Sequence, residues 1–292
     1  MRPSHRFACA AALMCAAIVA NATVSVIDDT RRPVTLRQPA RRIVSLAPHT
    51  TELLFAAGAG AYVVGVTEYS DYPPETKKLP SVGSGVSLDL ERILQLKPDL
   101  IVGWNNGNAG AQIAKFESLG IPLFKSEPHD FGTIASSLER LAHLAGTDAT
   151  GVAAAKDFRA KWKQLESQYG NRPKLRVFYQ VWRKPLMTLN DAATPSSVLR
   201  LCGAENIFGG LPQIAPAVSV EAVLKADPDV LVASIGENDD PLAEWKRFPK
   251  MKAVERGNLL LVDGNLLNRS GPRIMDGAAH LCKQLDALRA KR

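Results

Sequence analysis

Leu90-Glu91-Arg92-Ile93-Leu94-Gln95-Leu96-Lys97-Pro98-Asp99-Leu100-Ile101-Val102 can be laid, without a gap, on Val220-Glu221-Ala222-Val223-Leu224-Lys225-Ala226-Asp227-Pro228-Asp229-Val230-Leu231-Val232 at a constant offset of 130. The Glu, one Leu, the Pro-Asp pair and the last Val are identical, and most other apolar positions stay apolar. Each copy reads as a helix, a Pro-Asp turn and a buried strand. A weaker echo sets Leu54, Gly58 and Ala59 against Leu199, Gly203 and Ala204. A single copy would be no more than a favourable helix-to-strand connection. Two ungapped copies imply two lobes of similar topology.

The flanking sequence fits this reading. Val24–Ile27 and Pro33–Leu36 surround a polar turn and predict an N-terminal hairpin. Short apolar strands at 43–46, 63–66, 100–102 and 121–124 then alternate with helices at 52–57, 88–96, 111–119 and 134–144, Pro48 to Thr51 ending the first strand. That alternation predicts an α/β fold with mainly parallel sheets flanked by helices. From Asp148 to Tyr169 the pattern changes. Val152, Ala155, Phe158, Trp162 and Leu165 recur at helical spacing among charged residues, which predicts one helix of roughly 20 residues, or about 30 Å. A further strand is expected at 175–181. The expected organisation is an N-terminal lobe (23–147), a linking helix (148–170) and a C-terminal lobe (171–292).

Residues 1–22 read as a cleavable export signal. Arg2 and Arg6 precede an apolar run from Phe7 to Ala20, and Ala20-Asn21-Ala22 is a small-x-small cleavage site. The run is short for a membrane span. Cys15 lacks the small residues expected before a lipidated cysteine. The mature chain is therefore expected to be soluble and extracytoplasmic. Processing removes two arginines and no acid from a net charge of +7. The remaining mild excess, spread along the chain, describes a solvated surface and does not call for nucleic acid. Of the four cysteines only Cys202 and Cys282 survive processing. In an oxidising compartment they most simply form one disulfide, since a metal site would need more ligands than this pair offers.

Two similar lobes leave a cleft at the ends of their strands, where open α/β sheets bind ligands. Candidate cleft residues are those just past the strands: Pro48, His49 and Thr50; Tyr69 to Tyr72; Trp104 to Asn108; Trp182 and Arg183; and Asn265, Leu266, Leu267, Asn268 and Arg269. Aromatic rings with amides and an arginine suit a bulky, partly flat ligand bearing polar groups. Each residue alone has a plainer reading: a tryptophan can pack at a lobe edge, and His49, which in the cleft could be a metal ligand, is more simply a polar helix-start residue. Enzymatic signatures are missing. Gly58-Ala59-Gly60 lacks the third glycine of a dinucleotide loop, no phosphate-binding loop is present, and Gly83-Ser84-Gly85-Val86-Ser87 is not a nucleophile elbow. No catalytic residue, resident metal or cofactor is expected.

The run Arg42-Ile43-Val44-Ser45-Leu46-Ala47-Pro48, the string Tyr69-Ser70-Asp71-Tyr72-Pro73-Pro74 and the Leu90–Val102 unit resemble the periplasmic vitamin B12-binding proteins of ABC importers, a branch of the iron-siderophore/cobalamin class of substrate-binding proteins. The similarity continues through Cys202-Gly203-Ala204-Glu205-Asn206-Ile207-Phe208 to Pro272-Arg273-Ile274 and Leu281-Cys282. It implies a class III fold whose lobes are joined by one rigid helix, and a monomer that delivers cobalamin or a related corrinoid to the membrane and ATPase subunits of an importer. It also implies that Tyr69 contacts the corrin ring, that Asn265 to Arg269 form a second contact segment, that Cys202 and Cys282 pair, and that Glu91 and Glu221 dock the transporter from the two lobe tips. This chain departs from the pattern at Gly85, where a tryptophan is usual, and at Leu266 and Leu267, where aromatic residues are usual. Those losses would shift preference among corrinoids, with Trp182 compensating from across the cleft. A ferric siderophore or heme receptor of the same class is the alternative. A zinc or manganese receptor and a periplasmic hydrolase fit less well, because neither converging ligands nor a nucleophile-base pair is visible.

Overall fold

The computed structural model describes residues 23–235 and 240–291, so the expected export signal lies outside the described residues. The chain enters through an antiparallel hairpin, β1 (Val24–Ile27) and β2 (Pro33–Leu36). Asp28 closes its turn, its carboxylate accepting from the backbone N–H groups of Thr30 and Arg32 at 2.8 and 3.0 Å. The first lobe continues as β3 (Ile43–Ser45), α1 (Pro48–Ala56), β4 (Val63–Val66), α2 (Leu90–Gln95), β5 (Leu100–Trp104), α3 (Gly110–Ser118), β6 (Leu123–Ser126) and α4 (Phe131–Ala145). The linking helix α5 is Asp148–Tyr169, as its spacing predicts. The second lobe contains β7 (Leu175–Gln180), α6 (Thr194–Leu201), β8 (Ala204–Asn206), α7 (Val220–Ala226), β9 (Val230–Ser234), α8 (Lys252–Glu255), β10 (Leu259–Val262), α9 (Gly264–Leu267) and α10 (Ile274–Arg289).

Each lobe is built on a four-stranded parallel sheet, ordered β4-β3-β5-β6 in the first and β10-β9-β7-β8 in the second. In each, two parallel neighbours flank an inner pair, β3-β5 in one lobe and β9-β7 in the other. The duplication therefore extends to architecture, and also to fine structure. Asp89 and Ser219 cap α2 and α7, accepting from the N–H groups of Arg92 and Ala222. Lys97 and Asp227, equivalent under the repeat, both take left-handed backbone angles, φ 48° and 44°. The aspartate of each Pro-Asp pair pins the start of its lobe's first sheet strand. Asp99 accepts from the N–H of Arg41 and Arg42, and Asp229 from that of Arg176, at 2.8–2.9 Å. The weaker echo is also real, since Gly58 and Gly203 both end a helix at positive φ, 82° and 68°.

Two local readings change. The predicted loop Pro48–Thr51 is the first turn of α1: Pro48 takes the first helical position, where a missing N–H costs nothing, and Thr50 Oγ1 accepts from the N–H of Ala47 at 3.2 Å. Part of the segment past β10 is likewise helical, because the Asp263 carboxylate caps α9 through the N–H of Asn265.

One apolar core runs through both lobes. It joins Ile43, Leu53 and Phe124 of the first lobe to Val177, Leu199 and Leu281 of the second, through Ala155, Phe158 and Leu165 of α5. Separate clusters fill the outer helical layers, around Ile93 and Phe116 in one lobe and Phe178 and Trp245 in the other. α5 lies close against α4. A Cβ on Gly151 would come within 2.2 Å of the Ala142 Cβ, so glycine is required by that approach. Cys202, at the C-terminus of α6, is disulfide-bonded to Cys282 of α10, as expected. Among the described residues no helix is long and apolar enough to cross a membrane.

Candidate ligand-binding site

In open parallel sheets a crevice forms beyond the carboxyl ends of neighbouring strands whose connections leave in opposite directions. The carboxyl ends of the inner strand pairs are Ser45 and Trp104 in one lobe and Gln180 and Ser234 in the other. A cavity of about 340 Å3 lies between the lobes at this place. Pro48, His49 and Trp104 line one wall, joined by Glu127, Pro128 and His129 past β6. Val181, Leu189, the segment 192–195, Ile214 and Ala215 line the other wall, with Asn268, Arg269 and Ser270. Thr194 crosses between lobes at one edge, its hydroxyl donating to the Pro128 carbonyl at 3.3 Å and lying 2.8 Å from the Ser270 hydroxyl. A larger hollow of about 750 Å3, lined by Asp130, Trp162, Glu166 and Arg200, lies beside α5 and includes none of these strand ends.

Trp104 is the main aromatic wall. It is 40% exposed, and its indole N–H reaches Glu127 Oε1 at 3.4 Å. The ring lies against Gly107, where an added Cβ would come within 1.9 Å of it. Asn108 fixes this loop: its amide oxygen accepts from the Trp104 N–H at 2.7 Å, and its amide nitrogen donates to the Leu46 and Gly85 carbonyls. His49 stands edge-on to Trp104, ring centroids 5.5 Å apart. It is buried, and its Nε2 has no hydrogen-bond partner among the described residues.

Burial pushes the His49 pKa from 6.5 to about 4, and the charge of Arg269 pushes the same way. Between those values the unfolded chain takes up a proton that the folded protein refuses. The neutral histidine thus contributes stability that is complete above pH 6.5 and is lost as pH falls toward 4. The full effect is about 3 kcal/mol. Urea unfolding at several pH values should show this loss, and His49→Gln should flatten it. An unchanged slope in the variant would assign the acid sensitivity elsewhere.

Arg269 joins the cavity to a charge network between lobes. Its guanidinium donates to Glu52 Oε1 at 3.2 Å, to Asp71 Oδ1 at 2.7 Å and to the Tyr69 carbonyl at 3.1 Å. Arg273 grips the same Glu52 carboxylate with two bonds, at 2.6 and 2.9 Å, and stacks 3.8 Å over the Tyr72 ring. Desolvation works against ionisation of Asp71, but its bonds and charge contacts with Arg269 hold its carboxyl below the usual range.

The structure sorts the other sequence-derived candidates. Tyr69 and Trp182 stand at 78% and 62% exposure outside the cavity wall; Tyr69 has a left-handed backbone, φ 63°. Arg269 still reaches the Tyr69 carbonyl, so Tyr69 belongs to the same edge of the cleft. Thr50 is a correction: its side chain is fully buried, bonded to Ser45 Oγ at 2.7 Å and to the Ala47 carbonyl, so it braces the strand end from behind. Leu267 is also corrected, because it is core, 1% exposed. Leu266 packs near Gly277 and Asn265 faces solvent, neither lining the cavity. Asn268 does line it, held by the Tyr179 hydroxyl and Ser234 Oγ at 2.7 and 2.8 Å. Sequence reasoning missed Glu127, Pro128 and His129, although they lie just past β6 as the chosen residues lie just past other strands. Glu91 and Glu221 occupy the first turns of α2 and α7, both exposed and away from the cavity.

Two α/β lobes of like architecture, a helix between them and a cavity at facing strand ends define a two-lobed solute-binding architecture. The family model described as periplasmic binding protein matches residues 43–266, and the chain belongs to that family. It is 38% identical over 251 residues to the vitamin B12-binding protein of Vibrio cholerae, covering 85% of this chain and 90% of that protein. Against the vitamin B12-binding protein of Pectobacterium carotovorum it is 38% identical over 252 residues, covering 85% and 89%. The crystal structure of the periplasmic vitamin B12-binding protein of Vibrio cholerae superposes with a TM-score of 0.79, covering 86% of this chain and 98% of that one. A periplasmic heme-binding protein from Roseiflexus sp. RS-1, 25% identical, superposes with a TM-score of 0.75, covering 85% and 99%. This is a binding-protein family, not an enzyme family.

Proposed function

We propose that this chain is an exported periplasmic receptor that captures cobalamin or a related corrinoid in the inter-lobe cleft and hands it to an ABC importer. The observation that carries the reading is the 38% identity to vitamin B12-binding proteins over 251 residues, 85% of this chain and 90% of the Vibrio cholerae protein. The site chemistry agrees with it. A corrin is a broad, partly flat ring with amide side chains; the cavity offers Trp104 and apolar walls, and Tyr69 and Trp182 add aromatic surface at the cleft margin. The ligand would enter this pocket as cargo, with the chain as a monomer and no resident cofactor. Residues 1–22 would direct export.

Cyanocobalamin titrated into the protein should quench tryptophan fluorescence and saturate near one ligand per chain, with Trp104→Ala weakening binding at least tenfold. Hemin and a ferric siderophore form the competing arms, because the fold is shared with heme-binding proteins. Binding of either of these, with no binding of any corrinoid at micromolar protein, would overturn the assignment.

Glu91 and Glu221 are proposed as the transporter contacts. Both are exposed, both occupy the second position of a capped helix, and they are related by the internal repeat. Exposed ion pairs are individually weak, so their role is register and association more than affinity. The double variant E91K/E221K should abolish uptake in cells while leaving ligand affinity intact. A fall in affinity would place these residues in the pocket instead.

A further inference from the structure

His49 is an unexplained polar group in the wall of the cleft. Buried side-chain nitrogens in folded proteins almost always find a hydrogen-bond partner, and one that does not calls for a reason. The His49 ring lines the cavity, its Nε2 has no partner among the described residues, and its nearest aromatic contact is the edge-on Trp104 ring. Plain packing does not account for a histidine here, since an apolar residue would fill the same space without an orphan nitrogen. An imidazole nitrogen with a free lone pair is, however, a strong ligand for a transition metal.

The surroundings narrow the kind of metal. Among the described residues no group of three or more His, Cys, Asp or Glu side chains gathers as a metal site. A bare ion would therefore find too few donors. A metal that arrives already held in the plane of a macrocycle needs only one more donor, along its axis.

We propose that His49 Nε2 is an axial ligand to the cobalt of a corrinoid that lacks a base of its own, such as cobinamide. This rests on the corrinoid reading above and sharpens it to a ligand class. The step is a ligand exchange: the Nε2 lone pair forms the cobalt–nitrogen bond and one cobalt-bound water leaves. The oxidation state of cobalt does not change, and the ring keeps its proton on Nδ1. Burial and Arg269 already hold this imidazole neutral above about pH 4, so no proton has to be released. Nε2 is itself closed off from solvent, so the wall beside it must shift for the macrocycle to reach it, and Trp104 is the edge-on neighbour of the ring. Trp104 is 40% exposed and its indole makes one 3.4 Å bond to Glu127, so a shift would break that bond and slide the ring off Gly107.

The test uses cob(II)inamide and the full-length processed protein. Electron paramagnetic resonance of the wild-type complex should show each cobalt hyperfine line split into a triplet by a single nitrogen, and His49→Ala should remove the splitting. Diaquocobinamide affinity, measured by absorbance titration, should fall at least tenfold more in His49→Ala than the affinity for cyanocobalamin, whose cobalt already carries a base and a cyanide. His49→Gln, which keeps a polar side chain and guards against a folding defect, should behave like alanine in the spectrum. Cobinamide bound by the wild type without nitrogen splitting would overturn the inference while leaving the corrinoid assignment standing, as would equal affinity losses for the two ligands. Failure of every corrinoid to bind would overturn both.

Discussion

Replacing Glu52 with alanine is expected to destabilise the protein by about 3–5 kcal/mol and to lower its melting temperature by about 10 °C. The Glu52 side chain is 1% exposed and accepts bonds from both Arg269 and Arg273, whose side chains are 13% and 19% exposed. Removing the carboxylate leaves Arg273 without its hydrogen-bonded acid and Arg269 with Asp71 alone, at an inter-lobe contact with little water to screen them. An uncompensated buried charge costs far more than the intact pair contributes, and that asymmetry sets the size of the effect. Glu52→Gln, which keeps an acceptor but not the charge, should fall between the two. Glu139→Gln provides the contrast. Its partner is Arg159, but the side chains are 34% and 39% exposed, and a loss below about 1 kcal/mol is expected there. Denaturant unfolding of the three variants compares them directly. A Glu52→Ala cost no larger than that of Glu139→Gln would show that the network is not holding the lobes.

The second large effect is expected from the Cys202–Cys282 disulfide. The bond spans 80 residues, and closing a loop of that length restricts the unfolded chain by about 4–5 kcal/mol in the chain-entropy description, an upper figure. Both cysteines are fully buried, so the bond should resist reductant in the native protein and yield only when the chain opens. The double variant C202A/C282A should lose most of this stability in chemical denaturation. Thiol titration of the wild type in denaturant, after export and processing, should find no free thiol. A variant that unfolds within about 1 kcal/mol of the wild type would mean that the unfolded chain is already constrained in this region by other means.

The fold was largely legible in the sequence because its signals are local. The repeat at 90–102 and 220–232 carries its own helix, turn and strand, and the spacing at 148–169 has no competing reading. Boundaries failed where two local rules met. Ser45-Leu46-Ala47-Pro48 looks like a strand running into a breaker, but the proline opens α1, which turns Thr50 inward. The site was half legible. Pro48 and His49 lie shortly past β3, Trp104 is the last residue of β5, and Asn268 and Arg269 follow the short helix after β10; the position just past β6 belongs to Glu127, Pro128 and His129. The Glu52 network could not be found this way. Its partners are 217 and 221 residues away, and nothing at Thr51-Glu52-Leu53 distinguishes a buried carboxylate from an exposed one.

The core that passes through α5 bears on how such a chain could have arisen and how it must mature. Although each lobe repeats the other's architecture, the two halves share one interior, and parting them would uncover the apolar faces that meet around α5. Duplication must therefore have been succeeded by fusion of the two interiors, after which a lobe could no longer be exchanged as a cassette. A nascent chain crossing a membrane from its N-terminus would present the first lobe long before α10 arrives to complete that interior. Calorimetry should accordingly find one melting transition, not two, and a fragment ending near residue 170 should be the species that a holding chaperone retains.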